Sequence, residues 1–336
     1  MFKLAGLIGI YSYLIFFLGL AHLLSKTNVI LITLIYIIFA IFYFVRINVF
    51  NNISFNIKNL SNLSKFILLL LSTQILINFI GVLGPEISFD ALWYHLTLPR
   101  IYLENQNIFH IPGILLYYSD MPKLVEMIYV GALSFGNEIL AKFIHFTFGI
   151  LTLIAIYKLS RKFISVDLSL IAVLIFYSNL VVGWLSISSY VDLARTFFEV
   201  LAIFAFILFI EKKERKYLFL SSLVLGLAVT TKLASLGSIG IFLVLFIYKF
   251  INDKENLKTL FNNISIFTLV SLIIPLPWFI FSYLNTGNPF YPYFSIPVDS
   301  GNFINLPNLF SFPKDFLSIF IYTNDPISPL YLIFLP

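Results

Sequence analysis

The chain has 336 residues, 60% of them hydrophobic and 11% charged, with a mean hydropathy of +0.97 and a formal net charge of +5. That composition excludes a water-soluble globule and describes an all-α polytopic membrane protein. The charge excess calls for no nucleic-acid partner, because in a membrane protein its distribution across the bilayer matters more than its sum. The absence of cysteine excludes disulfides, thiolate metal sites and cysteine nucleophiles together.

A hydrocarbon core roughly 30 Å thick takes about 20 apolar residues to cross as a helix, so run length is the first test. Leu4 to Leu24 and Asn28 to Ile47 pass it, joined by a tight SKTN turn. The first run is too long for a signal peptide and has no small-residue cleavage site. An Asn-rich polar segment, Asn48 to Lys65, leads to a third span, Phe66 to Gly84. Residues 1–65 thus form two extra N-terminal helices and a linker ahead of a main module at 66–336.

The only long polar interval among the apolar runs follows, Glu86 to Lys123. Within and just beyond it, Ala91 to Tyr102 and Met121 to Phe135 are too short or too amphipathic to cross and are predicted to lie in the membrane interface. Trp93, Tyr94, Tyr117 and Tyr118 suit the aromatic belt there. Six further spans are predicted: Ile139 to Leu159, Leu168 to Ile187, Val191 to Ile210, Tyr217 to Thr231, Leu233 to Phe250 and Ile264 to Leu284. Only Lys232 separates the fourth of these from the fifth, so a bent element or a partial hairpin is an alternative. The closing SPLYLIFLP reads as the opening of another span, and a truncated C-terminus is expected.

Loop charges set the orientation, since Lys and Arg are retained on the cytoplasmic side. With the N-terminus inside, Lys3, Arg46, Lys158, Arg161 and the EKKERK cluster at 211–216 fall on the cytoplasmic side. Glu86, Asp90, Glu104, Asp120 and Asp192 then fall outside. The expected location is the inner or plasma membrane, with the site on the extracytoplasmic face.

Five ionisable residues converge on that face: Asp90, Asp120, Lys123, Asp192 and Lys232. Charges at such depth are costly and mark function or a partner. The alternative for the three aspartates is helix capping; for the two lysines it is snorkelling. His95, five positions after Asp90, falls about 140° away on a helix, whereas Tyr94 at i+4 shares its face. A hydrogen-bonded interfacial role is the alternative for His95. His22, His110 and His145 have no metal-ligand spacing, and no P-loop, GxGxxG or GxSxG is present.

The order FDALWYHLTLPR, YYSDMPKLVEMIY, YKLSRKF, SSYVDLARTFFEVLA, GLAVTTK and PWFIFSYLNTGNPFYPYF resembles the GT-C membrane glycosyltransferases. The likeness is to the branch that holds lipid A aminoarabinose transferases, protein O-mannosyltransferases and rhizobial lipopolysaccharide glycosyltransferases. It covers about Phe66 to Pro336. The resemblance implies a transmembrane helix bundle whose first extracytoplasmic loop carries interfacial helices. It further implies a polyprenyl-phosphate-linked sugar as donor, an extracytoplasmic glycan, lipid or protein acceptor, and a loop aspartate as base, matched here by Asp90. Many relatives carry a second acid directly after that aspartate, where this chain has Ala91. The relatives' lysine before paired prolines is displaced to Lys123 in SDMPK, while Asp192 in YVDLA and Lys232 in TTK match the pattern better.

The chemistry fits these residue types. Glycosyl transfer from a phospholipid needs a base near the acceptor hydroxyl and a cation on the departing phosphate. Asp90 supplies the first, and Lys232, Lys123, Arg195 or Arg100 the second, with Asp120, Asp192 and His95 as further donor contacts. A divalent ion, Mg2+ or Mn2+, held by Asp90, Asp120 or Asp192 is compatible with such oxygen ligands. The competing readings are a lipid-sugar flippase, to which Glu199, Gln74 and Asn78 within the spans point, and a polymerase of lipid-linked oligosaccharides.

Overall fold

The computed structural model describes residues 1–47, 60–113, 115–254, 256–294 and 312–321, and these form helices and connecting turns without a strand. The Asn-rich segment lies mostly, and SPLYLIFLP entirely, outside the described residues. The helices are α1 (Phe2–Leu20), α2 (Lys26–Arg46), α3 (Asn62–Val82), α4 (Thr97–Asn105), α5 (Leu124–Ser134), α6 (Glu138–Ser160), α7 (Val166–Tyr177), α8 (Leu180–Ser186), α9 (Asp192–Lys212), α10 (Arg215–Thr231), α11 (Leu236–Asp253), α12 (Leu257–Ile273), α13 (Leu276–Thr286) and α14 (Phe312–Ile321).

Local chemistry explains many of the boundaries. Ser25, Ser61, Asn137, Ser165, Asn179 and Asn256 cap α2, α3, α6, α7, α8 and α12, each side chain accepting a backbone N–H of the first turn. Such caps satisfy donors that would otherwise be left orphaned. Breaks inside apolar runs bend the chain, by 74° between α7 and α8 and by 60° between α12 and α13. The second break carries Pro275 and Pro277, which cannot continue the preceding helical ladder.

Among the described residues six helices are long and apolar enough to cross a membrane, or eight if each bent pair is one span. Run length predicts nine spans, and the ninth is α10: its 17 residues reach about 26 Å, and it runs, buried between α9, α12 and α1, from the end that holds Glu211 to the end that holds Lys232. Lys232, extended at φ −155° and ψ 123°, ends α10 before a short 3-10 turn, Leu233–Ser235, opens the next span.

The core runs through α5, α6, α9, α10 and α12, where Phe148, Phe197, Phe206, Leu225 and Phe267 are buried together. Phe206 meets Phe242 and Phe246 edge-on. The outer helices instead expose apolar side chains, Ile38 at 67% on α2 and Leu69 at 62% on α3, as lipid-facing surfaces do.

The interfacial placement of Met121 to Phe135 is corrected. Nearly every residue of α5 is buried, because it packs against α1, α4 and α6. It is an internal helix of the bundle, and α1 is part of the packing that encloses it.

Two ends are distinguishable. At one, Ser61 Oγ donates to Asp167 at 2.5 Å and Lys162 pairs with Glu211 at 2.6 Å. At the other lies the chain between α3 and α6. Lys142 Nζ donates there to the carbonyls of Gly81, Gly84 and Pro85, and Glu86 accepts the Ser189 N–H at 2.6 Å.

Candidate active site

The predicted site residues fall at this second end, around a cavity of about 250 Å3. Its wall is built from four main parts of the chain. A π-helical turn, Ala91–His95, and a 3-10 turn, Tyr117–Asp120, contribute Tyr94, His95, Tyr117 and Tyr118; the start of α5 contributes Lys123 and Glu126; the α10–α11 junction contributes Thr231, Lys232 and Leu233. Pro292 and Tyr293 close the rim.

Asp90 stands directly before the π-helical turn and makes no side-chain capping bond. Its Oδ2 instead accepts the Tyr94 hydroxyl at 3.3 Å, the i+4 relation predicted from the sequence. Its backbone N–H donates to Tyr190 Oη. Asp90 does not itself line the cavity and reaches it through Tyr94. Burial, and then the Asp90 carboxylate, raise the Tyr94 hydroxyl well above its ordinary pKa, so it stays a donor.

The tyrosines expected in a lipid-facing belt belong to the site. Tyr94 and Tyr118 stack at 3.8 Å with planes 3° apart, and Tyr117 stacks on Tyr118 at 4.0 Å. Trp93 packs edge-on against Tyr118.

Lys123 does not snorkel. It is 2% exposed, donates to the carbonyls of Ser119 at 2.7 Å and Met121 at 2.5 Å, and lies 4.9 Å from the Trp278 ring centroid. Burial without a directly paired carboxylate lowers its pKa from 10.5 to about 7. Lys232 is more open and pairs with Asp192 at 2.7 Å. Asp192 is the first residue of α9 and forms no capping hydrogen bond. The turn before it is fixed by His145, whose Nδ1–H donates to the Ser188 carbonyl at 2.8 Å while Nε2 accepts the Leu193 N–H at 3.1 Å. Sequence reasoning gave His145 no role; its neighbours across the fold supply one.

Other predicted residues are placed elsewhere. Asp120 is fully buried beside the cavity, accepting from His110 at 2.8 Å and from Ser119 Oγ at 3.0 Å. Arg195 is engaged by Glu199 and Ser235 and does not line the cavity. Arg100 is exposed on α4, also off the cavity. The three aspartates suggested as metal ligands are not gathered into a metal site: no group of three suitable ligands occurs among the described residues. Asp120 pairs with His110 through Oδ2, its Oδ1 having no hydrogen-bond partner among the described residues, and Asp192 pairs with Lys232. Glu199 likewise has Arg195, Ser235 and Ser238 as partners.

Glu126 was missed. It lies 2.8 Å from His95, in the first turn of α5, three positions after Lys123, the non-helical residue that precedes the helix. That spacing was the available signal.

Residues 127–281 match a family model described as dolichyl-phosphate-mannose-protein mannosyltransferase. No curated protein and no solved structure matches the chain. The matched segment runs from α5 into α13 and takes in Asp192 and Lys232, with Asp90 and Lys123 lying before it. Covering somewhat under half of the chain, the match supports a multi-pass membrane glycosyltransferase of the GT-C type that uses a lipid-linked sugar.

Proposed function

We propose that the protein transfers a sugar from a polyprenyl-phosphate donor to a hydroxyl-bearing acceptor at the extracytoplasmic face, in the building of cell-envelope glycans or glycolipids. The observation that carries this reading is the cavity itself, which brings Lys123 and Lys232 to a wall whose Tyr94 is hydrogen-bonded to Asp90. A carboxylate base and a cation at the departing phosphate are what the transfer requires.

In the proposed step, Asp90 removes the acceptor's hydroxyl proton as that oxygen bonds to the anomeric carbon. The bond from that carbon to the phosphate oxygen breaks, and its electron pair leaves with the lipid phosphate. Lys232 and Lys123 stabilise the charge that develops there. Tyr94 holds the Asp90 carboxylate in place.

The test is incubation of reconstituted protein with radiolabelled polyprenyl-phosphate mannose, glucose and arabinose in cell-envelope membranes. Release of polyprenyl phosphate together with label in a new glycoconjugate is expected, and lost in Lys232→Ala. Translocation of intact donor without bond cleavage overturns the reading in favour of a flippase.

A further inference from the structure

His95, on the π-helical turn, and Glu126, on α5, meet at the cavity wall with Nδ1 2.8 Å from Oε1. Both residues line the cavity and are buried, at 2% and 4% exposure. Each keeps one polar atom without a hydrogen-bond partner among the described residues, Nε2 of His95 and Oε2 of Glu126. Buried polar atoms are nearly always paired, and one left over points to a group absent from the free protein.

Neither atom has a part in the transfer assigned to Asp90, Lys123 and Lys232. Their chemistry is also the reverse of the lysines'. In the tautomer that donates Nδ1–H to Glu126 Oε1, Nε2 is an acceptor, as is the carboxylate's Oε2, and adjacent acceptors repel a phosphate but accept from hydroxyls. A ligand meeting both lysines and this pair carries an anion at one end and hydroxyl donors at the other. The cavity, at about 250 Å3, is smaller than the roughly 300 to 1,000 Å3 of drug-sized sites, which suits one sugar ring.

We propose that His95 and Glu126 form the sugar-recognition pair, accepting hydrogen bonds from hydroxyls of a single monosaccharide whose phosphate lies at Lys123 and Lys232. This rests on the reading that a lipid-linked sugar occupies the cavity, and it assigns specificity for that sugar to residues distinct from the base and the phosphate cations. A site that pairs with a substrate hydroxyl discriminates against the analogue lacking it, because the site's own polar groups are then left unpaired.

The experiment measures binding to purified protein of bare polyprenyl phosphate and of polyprenyl-phosphate mannose, glucose and arabinose. At least one sugar should bind more tightly than the bare lipid. Glu126→Gln and His95→Gln should reduce that advantage, taken as the ratio of sugar-lipid to bare-lipid affinity within each variant, by about ten- to a hundredfold. Bare-lipid affinity itself should stay unchanged in His95→Gln, whereas Glu126→Gln also removes a charge that favours the protonated Lys123. An advantage retained in both variants, equal weakening of the bare lipid by His95→Gln, or no advantage for any sugar in the unaltered protein overturns the assignment. Bare-lipid binding that is absent, or indifferent to Lys232→Ala, overturns instead the donor reading beneath it. If the variants do not fold, the unaltered protein is tested with singly deoxygenated forms of the preferred sugar. Loss of affinity on removing one hydroxyl supports the pair, and equal binding of all deoxy forms overturns it.

Discussion

What the Asp90 side chain touches argues against helix capping. As a capping aspartate it would bond to backbone N–H groups, but it bonds to the Tyr94 hydroxyl, and the helices around it are capped by serine and asparagine. Asp90→Asn keeps the shape and removes the basic carboxylate, so turnover should fall by about 10² to 10⁴, with a stability change well under ~1 kcal/mol. Parallel turnover and thermal-unfolding measurements in one detergent check this, and near-normal turnover in the folded variant returns Asp90 to a structural role. Lys123 makes a second residue-scale prediction. Its pKa of about 7 means that it is charged below that pH and neutral above it. Affinity for polyprenyl phosphate should therefore decline as pH rises past about 7, by up to about tenfold per unit, and Lys123→Met should flatten the decline. In the ligand-free protein the sign is opposite. Between pH 7 and 10.5 the unfolded chain binds the proton that the folded chain does not, so this lysine makes stability rise with pH across that window.

At the scale of elements, most helices were legible because a run of about twenty apolar residues leaves the backbone few alternatives in lipid. The turn at Lys232 and the break near Pro275 were visible as interruptions in such runs. What run length does not carry is which side of a helix another helix occupies. The burial of α5 is therefore a product of α1 and α6 closing over it, and the tyrosines at 94, 117 and 118 read as a lipid belt until two separate segments place them on one cavity. Glu126 and His145 acquire partners 31 and 43 residues away, a separation that local pattern does not encode. Close helix packing makes its own prediction. A Cβ on Gly226 of α10 would sit 2.9 Å from the Ser271 carbonyl and 2.6 Å from Ile274 of the α12 end. Gly226→Ala should therefore destabilise the fold by about 1 to 3 kcal/mol, seen as a lowered unfolding midpoint, whereas an unchanged midpoint would mean that α10 and α12 separate freely.

Across the whole molecule the separation of charge read from the loops has a geometric counterpart. The Lys162–Glu211 pair lies at one end of the bundle, while Asp90 and the Lys232–Asp192 pair lie at the other. Which end faces the cytoplasm follows, in our reading, from the excess of basic residues. Because the chain has no cysteine, single thiols at the exposed Glu104 and Lys213 test it without background. Glu104→Cys should be labelled by an impermeant maleimide added to intact cells, and Lys213→Cys should not; the opposite pattern inverts the topology and with it the face at which sugar is transferred.

The packing of Lys123 against Trp278 gives the molecule a built-in optical signal. The chain has three tryptophans, and Trp278, fully buried, holds the ammonium 4.9 Å from its ring. A cation that close polarises the indole electronically, so emission from Trp278 is expected to shift when the lysine loses its charge or, under the proposed function, when a donor phosphate draws it away. With Trp93 and Trp184 replaced by phenylalanine, occupancy of the cavity can be followed by light alone, in the membrane and during turnover.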